Sequence, residues 1–234
     1  MRKSIKVFAP ATVANVGCGY DVLGFALEGY GDELILTRRD DERLVITSIE
    51  GVQGIPLDPL KNVSTVAIKA LLTDLDLNQG FDLRIKKNIA AGSGLGSSAS
   101  SGAAAVYAAN EILGSPKSKL ELINYAMVGE KLASTKAHAD NVAPSVLGGF
   151  TAVRSYEPLD VFNISYPESL KVVVIFPQIE IKTSDAKKML RDEVKLTDAV
   201  KQWGNMAGLI SGLIEQDFER IGKSLQDVIV EPVR

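Results

Sequence analysis

The chain has 234 residues, of which 46% are hydrophobic and 24% are charged, and its formal net charge at pH 7 is -3. This composition is typical of a globular protein and excludes extensive disorder. A small negative charge gives no reason to expect binding to nucleic acid or to a membrane. No apolar run reaches the length of a membrane span, and residues 1–10 lack the apolar core of a signal peptide. We therefore expect a cytoplasmic protein.

The first polar groups of interest lie near the amino terminus. Residues 5–10 alternate between polar and apolar side chains, which predicts a short strand. The segment 11–27 then places Asn15 and Asp21 on either side of a Gly-Cys-Gly sequence. Burying such polar groups costs free energy unless they find partners. A turn would account for one of them, whereas two together predict a ligand-facing loop. Cys18 has no neighbour that would lower its pKa, so we interpret it as a core residue.

The next part of the chain leads into a glycine-rich stretch. Residues 30–50 predict a hairpin or two adjacent strands around a charged turn at 38–43. Prolines and glycines in 51–59 indicate a loop. Helical spacing begins after Asn62, for which a helix N-cap is the simplest interpretation. Residues 81–86 alternate as a strand and deliver the chain to the glycines.

The glycine-rich stretch spans residues 91–105, with three glycines alternating with small residues before a run of serine and alanine that continues towards Leu113. Glycines let the backbone turn tightly and approach a ligand closely. The first turn of the following helix presents unpaired N–H groups and a partial positive charge. A loop that leads into a helix in this way predicts a site for phosphate.

Two common phosphate-binding loops are excluded by the spacing. A Walker loop requires a lysine after its glycines, and no lysine lies between Gly92 and Gly114. A dinucleotide-binding loop requires the spacing G-x-G-x-x-G, whereas the glycines here run G-x-G-x-G. A helix of small residues that merely packs closely against a sheet remains the alternative.

A helix predicted over 117–133 carries one acidic residue on its apolar side. Leu120, Ile123 and Met127 form the apolar stripe, and Glu130 continues it. An inward carboxylate needs a cation, a metal or hydrogen bonds. A structural salt bridge and a ligand-binding role are both open.

The single histidine, His138, lies shortly before the pair Asp140 and Asn141 and ahead of a glycine-rich turn. A lone histidine is more often structural than catalytic, and no nucleophile elbow accompanies it. Further on, residues 171–177 are apolar β-formers and predict a buried strand. A helix is expected from residue 182.

Residues 196–229 predict two further helices.

Four stretches, 9–24, 92–99, 138–149 and 227–234, together resemble the motifs of the homoserine kinase family. That family belongs to the superfamily of galactokinase, homoserine kinase, mevalonate kinase and phosphomevalonate kinase (GHMP kinases).

The resemblance extends from residue 5 to residue 234 and implies an α+β, two-domain GHMP kinase fold. A ribosomal-protein-like, ATP-binding domain would span 1–154, and a ferredoxin-like domain, incomplete here, would span 155–234. Against the roughly 300 residues usual in the family, about a quarter is lacking at the carboxyl end.

The resemblance also implies ATP-dependent phosphorylation of the hydroxyl of L-homoserine to O-phospho-L-homoserine, a step of threonine biosynthesis. ATP and Mg²⁺ would be the cofactors, with Ser98 and Glu130 as metal ligands. The residues implied for ATP are Asn62, Val63, Ala90, Ala91, Gly92, Ser93, Gly94, Leu95, Gly96, Ser97, Ser98, Ala99 and Ser100.

The residues implied for L-homoserine are Asn15, Asp21, His138, Asn141, Thr183, Lys187 and Arg234. Lysine at 187 departs from the family's usual arginine and loses its bidentate fork, so that binding of the amino acid would be either weaker or shared with Arg191.

Catalysis would involve Asn141, which orients the hydroxyl, with Asp140 nearby and Lys87 contributing charge. We expect direct attack without a strong base. The alternatives are another GHMP small-molecule kinase and a nucleotide-binding fragment without activity. A homodimer is compatible with the resemblance, and neither nucleic acid nor membrane is expected as a partner.

Overall fold

The computed structural model describes residues 2–133, 138–175 and 190–233. Within these ranges the strands are β1 (Ser4–Val16), β2 (Gly19–Arg38), β3 (Leu44–Glu50), β4 (Phe81–Lys86), β5 (Phe150–Tyr156) and β6 (Leu159–Ile164). The helices are α1 (Val63–Asp74), α2 (Ser97–Ile112), α3 (Lys119–Ala133), α4 (Ala139–Leu147), α5 (Leu196–Glu215) and α6 (Phe218–Ser224). None of the described helices is long and apolar enough to cross a membrane.

One mixed sheet in the order β3-β4-β2-β5-β6 organises the chain, and β1 pairs with β2 along the remaining edge of that strand. The second half of β2 bonds to β4, and Leu23–Phe25 in its first half bonds to β5. The predicted pairing within residues 30–50 is wrong. β3 runs parallel to β4, which lies between it and β2. β2 and β3 are neighbours in sequence but not in the sheet, because the chain returns through α1 and places β4 between them.

The predicted ligand-facing loop at 11–27 is largely strand. β1 and β2 pair almost to the turn at residues 17–18, with register shifts along β1 that mark bulges. Asn15 and Asp21 nevertheless differ from strand residues, since their φ angles are 57° and 54°. The Asn15 Oδ1 accepts the Asp21 N–H at 2.9 Å. Left-handed backbone in residues other than glycine is uncommon and concentrates at functional sites.

Helices α1 to α4 pack together against the sheet around one core. The alanine-rich α2 lies in the middle and buries most of its residues. Small residues allow close contact, since a Cβ on Gly129 of α3 would lie 2.5 Å from the Val63 carbonyl oxygen. The predicted strand at 81–86 and the predicted helices into Leu113 and through 117–133 are confirmed.

A second core lies where α5 meets the end of the sheet. Its members include Cys18, Leu23, Phe150 and Leu209. Cys18 is buried, as expected of a core residue. The two helices predicted over 196–229 are present as α5 and α6, although the chain after Ser224 is not helical.

The prediction of a buried strand at 171–177 is wrong for the part that the structure describes. Residues 171–175 form no strand and are exposed, and Val173 is 84% exposed. The backbone N–H and C=O groups of a buried strand need hydrogen-bond partners. No described strand pairs with residues 171–175. Residues 176–177 and the helix expected from residue 182 lie outside the described ranges.

The proposed domain boundary at residue 154 stays a prediction. It falls within β5, which pairs with β6 in the same sheet as β1 to β4.

Candidate functional site

The glycine loop joins β4 to α2 and has an open outer face. Gly92, Gly94 and Gly96 all have left-handed φ angles, of 74°, 75° and 66°. Nothing lies within 4 Å of a Cβ placed on either of the first two. Gly96 caps α2 without any side-chain hydrogen bond to the helix. The first N–H groups of α2 therefore remain available to an anion at a positive helix end.

The inner face of the loop is tightly enclosed. A Cβ on Gly96 would lie 2.0 Å from the Thr12 Oγ1 and 3.0 Å from the Asn141 Oδ1. Thr12 donates its hydroxyl to that Asn141 oxygen at 2.9 Å, and its N–H donates to the Leu95 carbonyl at 3.1 Å. Asn141 on α4 is therefore joined to the loop through β1, and its amide nitrogen is turned away from Thr12.

A buried ion pair lies beneath the loop. The Lys87 ammonium contacts the Asp32 carboxylate, and the two side chains are only 2% and 1% exposed. The same ammonium donates to the Ser97 carbonyl oxygen at 2.7 Å and to the Ser101 Oγ at 2.8 Å. Burial lowers the pKa of Lys87, and the charge of Asp32 opposes that effect.

Glu130 points inward, as predicted, but the predicted stripe is wrong at Leu120, which is 52% exposed. The buried face of α3 is instead formed by Leu122, Ile123, Ala126, Gly129 and Glu130. Glu130 is 6% exposed, and its Oε2 has no hydrogen-bond partner among the described residues. Burial raises the pKa of Glu130, while a hydrogen bond with Ser98 lowers it. No described residue forms a salt bridge with Glu130, so the structure gives the salt-bridge alternative no support within the described ranges. An orphaned buried carboxylate oxygen beside a hydroxyl suits a bound cation.

The glycine loop, Lys87, Glu130 and Asn141 line one cavity of about 600 Å³, a size typical of small-molecule sites. Its walls include Asn62, Val63, Lys87, residues 91–94, residues 96–98, Glu130 and Asn141. Asn62 also caps α1, since its Oδ1 accepts the Ser64 N–H at 3.0 Å.

The remaining residues predicted for ATP, Ala90, Leu95, Ala99 and Ser100, do not line this cavity. Ala90 and Leu95 border a neighbouring depression on the other side of the loop. Ala99 and Ser100 are buried in α2, where the Ser100 hydroxyl donates to the Ala9 carbonyl.

A second group of polar residues surrounds the first turn of α4. The His138 Nδ1 lies 3.7 Å from the Asp21 Oδ1, and the Tyr156 hydroxyl donates to the Asp21 carbonyl at 3.2 Å. A Cβ on Gly24 would lie 1.8 Å from the Asp140 carbonyl oxygen, so only glycine lets α4 approach β2 this closely. The sequence-predicted residues Asn15, Asp21, His138 and Asn141 are thereby gathered on one side of the molecule.

Asp140 is the most unusual member of this group. It is 1% exposed, and neither carboxylate oxygen has a hydrogen-bond partner among the described residues. Burial raises the pKa of Asp140 to about 6, with the charge of His138 acting in the opposite direction and that of Asp21 reinforcing the rise.

The carboxyl-terminal tail is fastened beside the β1–β2 turn. Asp227 accepts N–H bonds from Ile229, Val230 and Glu231, at 2.9 to 3.1 Å. Gln202 of α5 donates both to the Asp227 Oδ1 at 2.9 Å and to the Cys18 carbonyl at 2.8 Å.

Three residues predicted for L-homoserine, Thr183, Lys187 and Arg234, lie outside the described residues. Thr12 and Asp32 are site residues that sequence reasoning missed. A buried aspartate in a strand interior is a usable signal, because aspartate is depleted there. The sequence holds no comparable signal for Thr12, whose partner is 129 positions away.

Comparisons with known proteins show the family of this chain. Residues 62–149 match the model of the GHMP kinases N terminal domain. The chain is 46% identical over 243 residues to a homoserine kinase of Chloroherpeton thalassium, covering 99% of this chain and 76% of that protein.

Solved structures give the same result. A homoserine kinase from Cytophaga hutchinsonii superposes with a TM-score of 0.94 at 49% identity, covering 100% of this chain and 75% of that one. A mevalonate kinase of L. major, solved with R-mevalonate, gives a TM-score of 0.66 at 14% identity over 96% of this chain and 74% of that one, which shows the shared fold alone.

The matched domain and the homoserine kinase relatives place this chain in the GHMP class of small-molecule kinases. Within that class, the chain belongs to the homoserine kinase family. It spans about three quarters of the length of these relatives, as expected from the sequence.

Proposed function

We propose that this chain transfers the γ-phosphoryl group of ATP to the side-chain hydroxyl of L-homoserine, in the threonine-biosynthesis route. The observation that carries the proposal is the shared cavity, which is lined by the glycine loop, Asn141 and Glu130, whose Oε2 has no described hydrogen-bond partner. Family membership makes ATP the phosphoryl donor, and the names of the relatives supply homoserine as acceptor.

The nucleotide lies along the loop in this proposal. Residues 91–98 and the start of α2 bind the phosphates through backbone N–H groups, and Asn62 and Val63 border the adenosine end. Ser98 and Glu130 would hold Mg²⁺, which prefers oxygen ligands and usually keeps few from the protein. When bound, the ion neutralises phosphate charge and fixes the phosphate oxygens.

The acceptor side is assigned to the polar group around α4. Asn15 and Asp21 would bind the ammonium end of L-homoserine, with His138 beside Asp21 lying against the amino acid, while Thr183, Lys187 and Arg234 would bind its carboxylate. Such charge-assisted hydrogen bonds are the strong kind. The left-handed φ angles of Asn15 and Asp21 support a built site rather than an ordinary strand end.

Phosphoryl transfer needs mainly positioning and charge neutralisation. Asn141, held by Thr12 through its oxygen, keeps its amide nitrogen for orienting the hydroxyl. The hydroxyl oxygen attacks the γ phosphorus directly, the bond from phosphorus to ADP breaks, and the hydroxyl proton leaves late. Asp140, next to Asn141 and with a pKa of about 6, is assigned as the late acceptor of that proton.

A cytoplasmic location and a homodimer belong to this proposal and rest on the family alone, whereas Mg²⁺ also has the orphaned Glu130 Oε2 as support. Nucleic acid and membranes are not part of it.

The test is a coupled assay of ADP release with L-homoserine, mevalonate and galactose as separate acceptors. We expect turnover with L-homoserine only, and O-phospho-L-homoserine as the product. Turnover with mevalonate or galactose would show that the chain is a kinase of that alcohol. ATP binding without turnover would show that it is a nucleotide-binding fragment without activity. Either result would overturn the proposal.

A further inference from the structure

The ion pair beneath the glycine loop carries a role that the predicted site does not include. We infer that Asp32 and Lys87 form a brace that fixes both ends of the loop, so that Lys87 acts on the nucleotide through the loop and not by touching phosphate. Asp32 and Lys87 are therefore positioning residues for nucleotide binding. The inference rests on the proposed nucleotide site.

Asp32 holds the end of the loop that follows β4. One carboxylate oxygen accepts the N–H groups of Asn88 and Ile89, at 2.8 and 3.0 Å. The other carboxylate oxygen contacts the Lys87 ammonium. Three consecutive residues are thus tied to one buried side chain of β2.

Lys87 holds the opposite end, where α2 begins. Its ammonium donates to the Ser97 carbonyl at 2.7 Å and to the Ser101 Oγ at 2.8 Å. The Ser97 hydroxyl crosses back to the Ile89 carbonyl at 2.9 Å. The residues between these two anchors are those predicted to bind phosphate.

The number of N–H donors on Lys87 distinguishes a brace from a direct contact with phosphate. Lys87 borders the cavity, so its position alone is compatible with a phosphate contact. An ammonium has three N–H donors. Asp32, Ser97 and Ser101 take one each, at a side chain that is 2% exposed. A phosphate contact would require Lys87 to give up one of these buried partners.

The two roles predict different selectivity among nucleotides. A lysine that touched the γ-phosphate would distinguish ATP from ADP. A brace sets the positions of all loop N–H groups at once, so its loss weakens ATP and ADP alike and leaves adenosine unaffected.

The experiment measures dissociation constants of ATP, ADP and adenosine by calorimetry in the whole chain with magnesium present. For Lys87→Met we expect ATP and ADP to weaken by the same factor, about tenfold to a hundredfold, as for a misplaced positioning group. The matched control is Lys86→Met. Lys86 is the neighbouring lysine, exposed at the surface and 3.8 Å from Glu33, and its loss should change nothing.

The double variant Asp32→Asn with Lys87→Met removes both buried charges, so it keeps a folded form to measure if a single variant with one unpaired charge unfolds. We expect the double variant to lose no more nucleotide affinity than Lys87→Met alone, because the two residues act as one unit. A loss confined to ATP in Lys87→Met or in the double variant would overturn the brace.

Failure of the two proposals can be told apart. Absence of ATP binding by the wild-type chain would overturn both the proposed function and the brace. Homoserine phosphorylation by the wild type, with an ATP-selective loss on removing Lys87, would overturn the brace alone.

Discussion

The two sides of the site differ in how their polar groups are satisfied. Beneath the glycine loop, Asp32 and Lys87 have protein partners for each charged group. Around α4, both oxygens of Asp140 lack a described partner, and His138 and Asp21 stand 3.7 Å apart. The base of the glycine loop is organised by the protein itself, whereas Asp140 on the acceptor side, like the Glu130 Oε2 in the nucleotide cavity, has carboxylate oxygens that a ligand would satisfy. Four substitutions test this contrast.

The largest effect is expected at Gly96. A β-branched residue there would meet the Thr12 hydroxyl at 2.0 Å with an unfavourable φ of 66°. For Gly96→Val we expect ATP binding to fall by at least about 1000-fold, roughly 4 kcal/mol, measured by calorimetry. The control is Gly54→Val, at a similar φ with nothing within 4 Å of its Cβ, which should bind ATP normally. Wild-type affinity in Gly96→Val would mean that the phosphates bind elsewhere.

Glu130→Gln is expected to come next. If Glu130 binds Mg²⁺ directly, activity at a fixed magnesium concentration should fall by at least about 100-fold, the upper end of the loss seen for residues that only support a metal ligand. Because burial raises the pKa of Glu130, its ionised form destabilises the fold above the usual carboxyl pKa, and the amide should unfold at an equal or higher temperature at pH 7. Glu121→Gln, on the exposed side of α3, is the control. Unfolding of Glu130→Gln with no change in magnesium dependence would favour a structural role.

Asp140→Asn tests the acceptor side through pH. The pKa of Asp140 rises from 3.8 in the unfolded chain to about 6 in the fold, so stability is lost as pH increases between these values. The amide should recover at most about 3 kcal/mol above pH 6 and nothing below pH 4, measured by denaturant unfolding. Because Asp140 is proposed as the late proton acceptor, Asp140→Asn should lower kcat about tenfold. The pH profile of kcat should also lose the ionisation near pH 6. Unchanged kcat at every pH would remove Asp140 from the chemistry.

The smallest effect is expected at Gln202. It joins the tail to the β1–β2 turn through Asp227 and Cys18. Gln202→Leu should raise the KM for L-homoserine by about fivefold, near 1 kcal/mol for lost hydrogen bonds, and leave ATP affinity unchanged. Equal losses for both ligands in steady-state kinetics would show that the tail supports the whole fold and not the acceptor side.

Local signals in the sequence were sufficient for the loop and its surroundings. Spacing predicted α2, the inward Glu130 and the cap at Asn62, because each depends on residues within a few turns. The strand order was not predictable in this way, since β4 separates β2 from β3. Asp32 and Thr12 were missed because their partners lie 55 and 129 positions away. The 171–175 segment shows that apolar composition alone does not bury a strand.

The hydrogen bond from Gln202 to Cys18 joins residues 184 positions apart. Closing a loop of that length carries a large entropic cost, and contacts of this range form slowly. The glycine loop, by contrast, is completed by β2, β4 and α2, which are much closer along the chain. We therefore expect the amides of Asn88 and Ile89, which Asp32 binds, to become protected from hydrogen exchange during refolding before Gln202 of α5 docks on the β1–β2 turn, whose own hairpin pairing is local. A refolding chain would then bind nucleotide before it binds the amino acid.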